Sequence, residues 1–119
     1  MTKQEMLQRT QDYALRVIKV VRALPSGDVG GVLGRQLLRS GTSVGANYRA
    51  ACRAKSTPDF LNKLKIVEEE CDESLYWMEL LVQSATLPLR RIESLMNEGN
   101  EILSIVVAAI KSTRANRAS

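Results

Sequence analysis

Leu38-Arg39-Ser40-Gly41-Thr42-Ser43-Val44-Gly45-Ala46-Asn47 is the most informative segment of the chain. It is rich in small residues and holds two glycines, yet the apolar series Leu33, Leu37, Val44, Tyr48 and Ala51 passes through it undisturbed at about 100° per residue. Gly41, Gly45 and Cys52 form a narrow strip beside that series. A glycine inside a helix costs about 1 kcal/mol relative to alanine. Two of them on one strip therefore imply a compensating contact, most simply the close approach of another backbone. The stretch predicts a continuous, tightly packed helix from about Gly30 to Lys55. The alternative, a break or loop at the glycines, does not account for the unbroken period.

Outward from this helix the punctuation is regular. Met6, Tyr13, Val17, Val20, Val21 and Leu24 predict a first helix from about Lys3 to Leu24, stopped by Pro25-Ser26-Gly27-Asp28. Ser56-Thr57-Pro58-Asp59 is a start signal: a hydroxyl to cap free N–H groups, a proline for the first turn and a carboxylate for the positive end of the dipole. A third helix is expected to about Ser84, burying Phe60, Leu64, Val67, Cys71, Leu75, Met78 and Leu81 or Val82. After Ala85-Thr86-Leu87-Pro88, a fourth runs from about Pro88 to Ser112 on Ile92, Leu95, Met96, Gly99, Ile102, Leu103, Val106 and Ile110. A basic, frayed tail is expected over about 112–119. The expected architecture is all-α: one antiparallel up-and-down four-helix bundle spanning residues 1–119.

Composition agrees. The 119 residues are 45% apolar but only 4% aromatic, so Leu, Ile, Val, Ala and Met must fill the core, as in helix-on-helix packing. There is no histidine, and Cys52 and Cys71 have neither metal-ligand spacing nor the density of a disulfide framework. No metal site, catalytic group or cofactor is expected. The first residues carry no signal-peptide hydrophobic region and the longest apolar run is too short for a bilayer, which predicts a cytoplasmic location and no membrane partner. The net charge of +4 is modest, but its distribution is uneven.

Between Val29 and Pro58 there is no acidic residue, while Arg35, Arg39, Arg49 and Arg53 fall within about 40° of one line opposite the core series. They span roughly 27 Å of helix, long enough to follow several phosphates, for which the guanidinium fork is well shaped. Lys111, Arg114 and Arg117 extend the basic set. An equally open reading is that such a stripe is solvated or pairs with acids on another helix or subunit. The third helix offers those acids in Glu68, Glu69, Glu70, Asp72, Glu73 and Glu79. It also has a second apolar face, because Ile66, Glu69, Glu73, Trp77 and Leu80 follow one another at helical spacing away from the core stripe. A single bundle cannot bury both faces, so this one is a candidate subunit interface, with a partly covered Trp77 as the alternative.

Gln36, Leu37, Arg39, Ser43, Val44 and Asn47 match a second-helix pattern, approximately Gln-Leu-x-Arg-Ala-x-x-Ser-Ile-x-x-Asn-Ile-Ala-Glu-Gly. On these residues the chain resembles the four-helix-bundle proteins encoded in intervening sequences of bacterial 23S ribosomal RNA genes. Val44 stands for Ile and Ser40 for Ala. Phe60 and the acidic segment Glu68 to Glu79 fit the same layout. The chain departs at Tyr48-Arg49-Ala50-Ala51, where the pattern has Ile-Ala-Glu-Gly, losing an acid and gaining an arginine. The resemblance implies a homo-oligomeric ring, a homopentamer. It extends to accessory proteins of diversity-generating retroelements, which form basic rings that bind nucleic acid and a reverse transcriptase. The function expected is therefore a non-enzymatic bundle binding RNA or DNA through a basic face, accessory to a nucleic-acid process. A protein-binding scaffold whose arginines make subunit contacts is the alternative, and a small all-α enzyme of chorismate-mutase type a weaker one.

Overall fold

The computed structural model describes residues 1–118. Four helices run up and down: α1 (Lys3–Arg22), α2 (Asp28–Ala51), α3 (Thr57–Gln83) and α4 (Glu93–Ala118), with a single 3-10 turn at Leu89–Arg91 ahead of α4. The bundle measures 51 × 21 × 20 Å. No described helix is long and apolar enough to cross a membrane.

Two helix starts are capped by side chains. Thr2 caps α1 by accepting from Glu5 N (3.1 Å). Ser56 Oγ caps α3 by accepting from Asp59 N (3.2 Å), Pro58 sits in the first turn, and Asp59 Oδ2 in return accepts from Lys55 N (3.0 Å). This is the start that the sequence foretells. Helix α4 begins at Glu93 instead of Pro88, because Arg91 N and Ile92 N bond to Pro88 O and Leu89 O in the separate 3-10 turn, and two helix ends also differ from expectation. Helix α2 stops at Ala51 instead of Lys55, because Arg53 N and Ala54 N bond back to Ala50 O and Ala51 O, three residues away, and tighten the chain into the turn that Ser56 caps. Helix α4 runs to Ala118, past the expected end at Ser112. No glycine or proline interrupts Lys111 to Ser119, and Thr113 Oγ1 bonds Ala109 O (2.7 Å), so the expected frayed tail is helix. Ser119 lies outside the described residues.

The core joins all four helices: Tyr13 and Val17 from α1, Leu37 and Val44 from α2, Leu64, Val67, Cys71 and Met78 from α3, Ile102 and Val106 from α4. The glycine strip lies where close approach was expected. A methyl group on Gly41 would stand 2.8 Å from both Val17 methyls, and one on Gly45 would stand 3.2 Å from Thr10 O. The α1/α2 crossing is therefore set by hydrogen atoms where any side chain would push the helices apart. Gly99 does the same for α4, since a methyl there would lie 2.8 Å from Tyr13 Oη. Tyr13 spans the core to Ser74 Oγ (2.8 Å), which donates to Cys71 O (2.7 Å), so the phenol donates and every buried hydroxyl in this chain of bonds is satisfied.

Candidate nucleic-acid interface

Antiparallel packing brings the C-terminal turns of α4 against the start of α3. There Lys65, Arg114 and Arg117 line a groove of about 460 Å³ with Pro58, Leu61 and Asn62, and no acid lines it among the described residues. Lys111 lies one turn before Arg114 on the same side of α4. The turn after α2, holding Arg53 and Lys55, is at this same end of the bundle. Arg53, Lys111, Arg114 and Arg117 are all exposed, and none of them forms an ion pair among the described residues. Two of the cations named from the sequence, Arg114 and Arg117, thus share the groove with Lys65, which sequence reasoning passed over; its position a helix turn beyond Leu61 was the available signal.

The arginine line of α2 is not continuous. Arg39 is turned to α3, where Nη1 donates to Glu70 Oε2 (3.0 Å) and Nη2 to Glu73 Oε1. The hydrogen bond from Arg39 holds the Glu73 carboxyl below its ordinary value, and Trp77 Nε1 donates to the same oxygen from 3.2 Å. Arg39 is thus paired with helix acids within one chain. Arg49 lies on the other flank, lining a groove with Leu7, Gln11, Ala14 and Thr42 between α1 and α2. Arg35 is exposed near the opposite end of α2. Arg53 leaves the helix with the early end of α2.

The α3 residues expected at a subunit contact also divide. Ile66 is 41% exposed and Glu69 is exposed, whereas Leu80 is half-buried. Trp77 packs against the core and, with Glu73, belongs to the α2/α3 seam. Tyr76, which the sequence reading did not single out, is 51% exposed and meets Trp77 edge-on with centroids 5.1 Å apart. Two further features were missed. Arg9 bridges α1 to α4 through Glu98 (2.5 Å) and Glu101 (2.7 Å). At the end of the bundle away from Arg114, Arg16, Lys19 and Arg91 line one groove of about 300 Å³. The absence of acids between Asp12 and Asp28 was the sequence signal for that second cluster.

Residues 2–108 match the family described as 23S rRNA-intervening sequence protein. The chain belongs to that family. A crystal structure of a protein with unknown function from the S23 ribosomal protein family of Bacteroides thetaiotaomicron is similar at a TM-score of 0.86 and 35% identity, covering 93% of this chain and 99% of the other. No curated protein matches. In this chain, the pattern residues explain themselves structurally. Leu37 and Val44 are fully buried, Ser40 Oγ bonds Gln36 O (2.9 Å), Asn47 Nδ2 bonds Ser43 O (2.8 Å) and Arg39 ties α2 to α3. The pattern that carries the resemblance maintains the α2 seam, which makes it a signature of fold.

Proposed function

We propose that this chain is a non-enzymatic, self-associating bundle that binds RNA or DNA along the phosphate backbone and acts as an accessory in a nucleic-acid process. The observation that carries the reading is the acid-free groove of Lys65, Arg114 and Arg117. Arg53, Lys111, Arg114 and Arg117 gather at this end with no ion pair among the described residues, and Lys65, whose other flank faces Glu68, Glu69 and Asp72, completes the groove, with Arg49 nearby on α2. Such a surface neutralises phosphates and displaces counterions without reading bases. Base stacking is not expected, because the groove has no aromatic lining. The family description names an intervening sequence of 23S rRNA, which makes single-stranded RNA the first ligand to test. Exposed Ile66 and Tyr76 on α3 support self-association, with the homopentamer as the assembly to test first and a reverse transcriptase as a partner to test after it.

Fluorescence anisotropy of a labelled single-stranded RNA at low salt tests the reading. Arg114→Glu with Arg117→Glu abolishes binding, and Arg49→Glu with Arg53→Glu weakens it, both with unchanged helical content. A parent protein that leaves the RNA free at low salt refutes the proposal.

A second reading has one observation in its favour. Arg39 pairs with Glu70 and Glu73, so arginines of α2 do serve as partners of α3 acids. If Arg49→Glu with Arg53→Glu breaks the assembly and leaves RNA binding intact, the scaffold reading takes its place.

A further inference from the structure

Two arginines lie on one stripe of α1, seven residues apart, facing α4. Arg9 is bracketed by Glu98 and Glu101. Arg16 is met from α4 only by Ser94 Oγ (2.9 Å), and Glu98, whose charge it also feels, is already held by Arg9. Around Arg16 the seam opens into a groove with an apolar floor of Val20, Leu87 and Leu95 and a rim that adds Lys19 and Arg91. No acid lines it, and none of its three cations has an ion pair among the described residues.

Helix α3 presents the converse shape. Tyr76 projects half-exposed, with Asp72 one turn before it and Glu79 one turn after it on the same face, both exposed and neither in an ion pair among the described residues. A phenol between two carboxylates matches an apolar floor between cations. The two features also share a height. The Tyr13–Ser74 hydrogen bond pins α1 to α3, which run in the same direction. Arg16 and Val20 lie three and seven residues beyond Tyr13, and Tyr76 and Glu79 two and five beyond Ser74, so at about 1.5 Å per residue the two stretches overlap in height.

We propose that these two features are the halves of a heterologous contact between copies of this chain: Tyr76 enters the groove of the next copy, and Asp72 and Glu79 pair with its Lys19 and Arg91. The inference rests on the self-association proposed above and names its surfaces.

Mixing of complementary variants tests this on the full chain. Lys19→Glu with Arg91→Glu spoils the groove and keeps the knob, while Asp72→Lys with Tyr76→Ala does the reverse. By light scattering after gel filtration, each variant alone is monomeric, and an equimolar mixture gives a 1:1 species of twice the 13.2 kDa chain mass. Circular dichroism confirms that both keep the parent's helical content; if either does not, Arg91→Gln and Tyr76→Ser replace them. Variants that keep the parent's oligomeric mass, or monomers that do not combine, overturn this contact and leave self-association standing. A monomeric parent overturns both.

Discussion

At the residue scale, the burial of single groups gives sharp expectations. Cys71 is enclosed between α3 and α4, and its Sγ faces Gly99 O (3.3 Å); burial pushes the thiol up to about 12. Cys52 is only partly covered. A thiol reagent at pH 8 should therefore modify one cysteine of the native protein, Cys52, and reach Cys71 only on unfolding. Arg9 holds the Glu98 carboxyl below its ordinary 4.5, chiefly by hydrogen bonding. The lowered value means that the unfolded chain binds protons more readily, so this stability is complete above about pH 4.5 and is lost as the pH falls through the folded-state value. Urea midpoints at pH 7 and pH 3 should differ more for the parent than for Glu98→Gln. Arg39→Ala belongs to the same class of structural change. It should lower the urea midpoint and alter Trp77 fluorescence through Glu73, while RNA affinity stays at the parent's value; a loss of affinity would return Arg39 to the nucleic-acid surface.

At the scale of elements, the α1/α2 crossing is the most exacting feature. A methyl on Gly41 would meet the Val17 methyls at 2.8 Å and its Cβ at 3.1 Å, and a β-branched side chain cannot swing clear. Gly41→Ala should cost about 1–3 kcal/mol despite its better helix propensity. Adding Val17→Ala should recover part of that loss, as a chemical-denaturation cycle would show. Gly45→Leu should also cost about 1–3 kcal/mol, because the obstacle is the backbone carbonyl of Thr10. The strip of Gly41 and Gly45 was legible because two mid-helix glycines within an unbroken apolar period require close packing. The α3 start was legible because Ser56, Pro58 and Asp59 each answer a specific need of a helix terminus. The end of α2 was not, since Cys52 to Lys55 contain no breaker and the turn is set by Ser56 capping the next helix. Nor was the splitting of the arginine line. An arc of about 80° looks like one face on a helical wheel, but α1 and α3 flank α2, and Arg39 at one edge reaches the acids of α3 while Arg49 at the other borders α1. Which acid an arginine meets depends on the rotation of a neighbouring helix, and no single-helix pattern contains that.

At the scale of the whole molecule, acids close two internal seams while unpaired cations gather at the two ends. Glu98 and Glu101 close the α1/α4 seam and Glu70 and Glu73 the α2/α3 seam, so a net charge of only +4 still leaves one end strongly basic. Binding through that end should be governed by phosphate neutralisation and insensitive to base sequence. The measurement that tests this most directly is the salt dependence of the affinity for a single-stranded RNA, taken for the parent and for Arg114→Glu with Arg117→Glu. The parent should give a straight log–log plot with a slope of about −0.7 for each phosphate neutralised, and the double variant no measurable binding. A parent affinity that is flat with salt, or a double variant that binds as tightly as the parent, would contradict it.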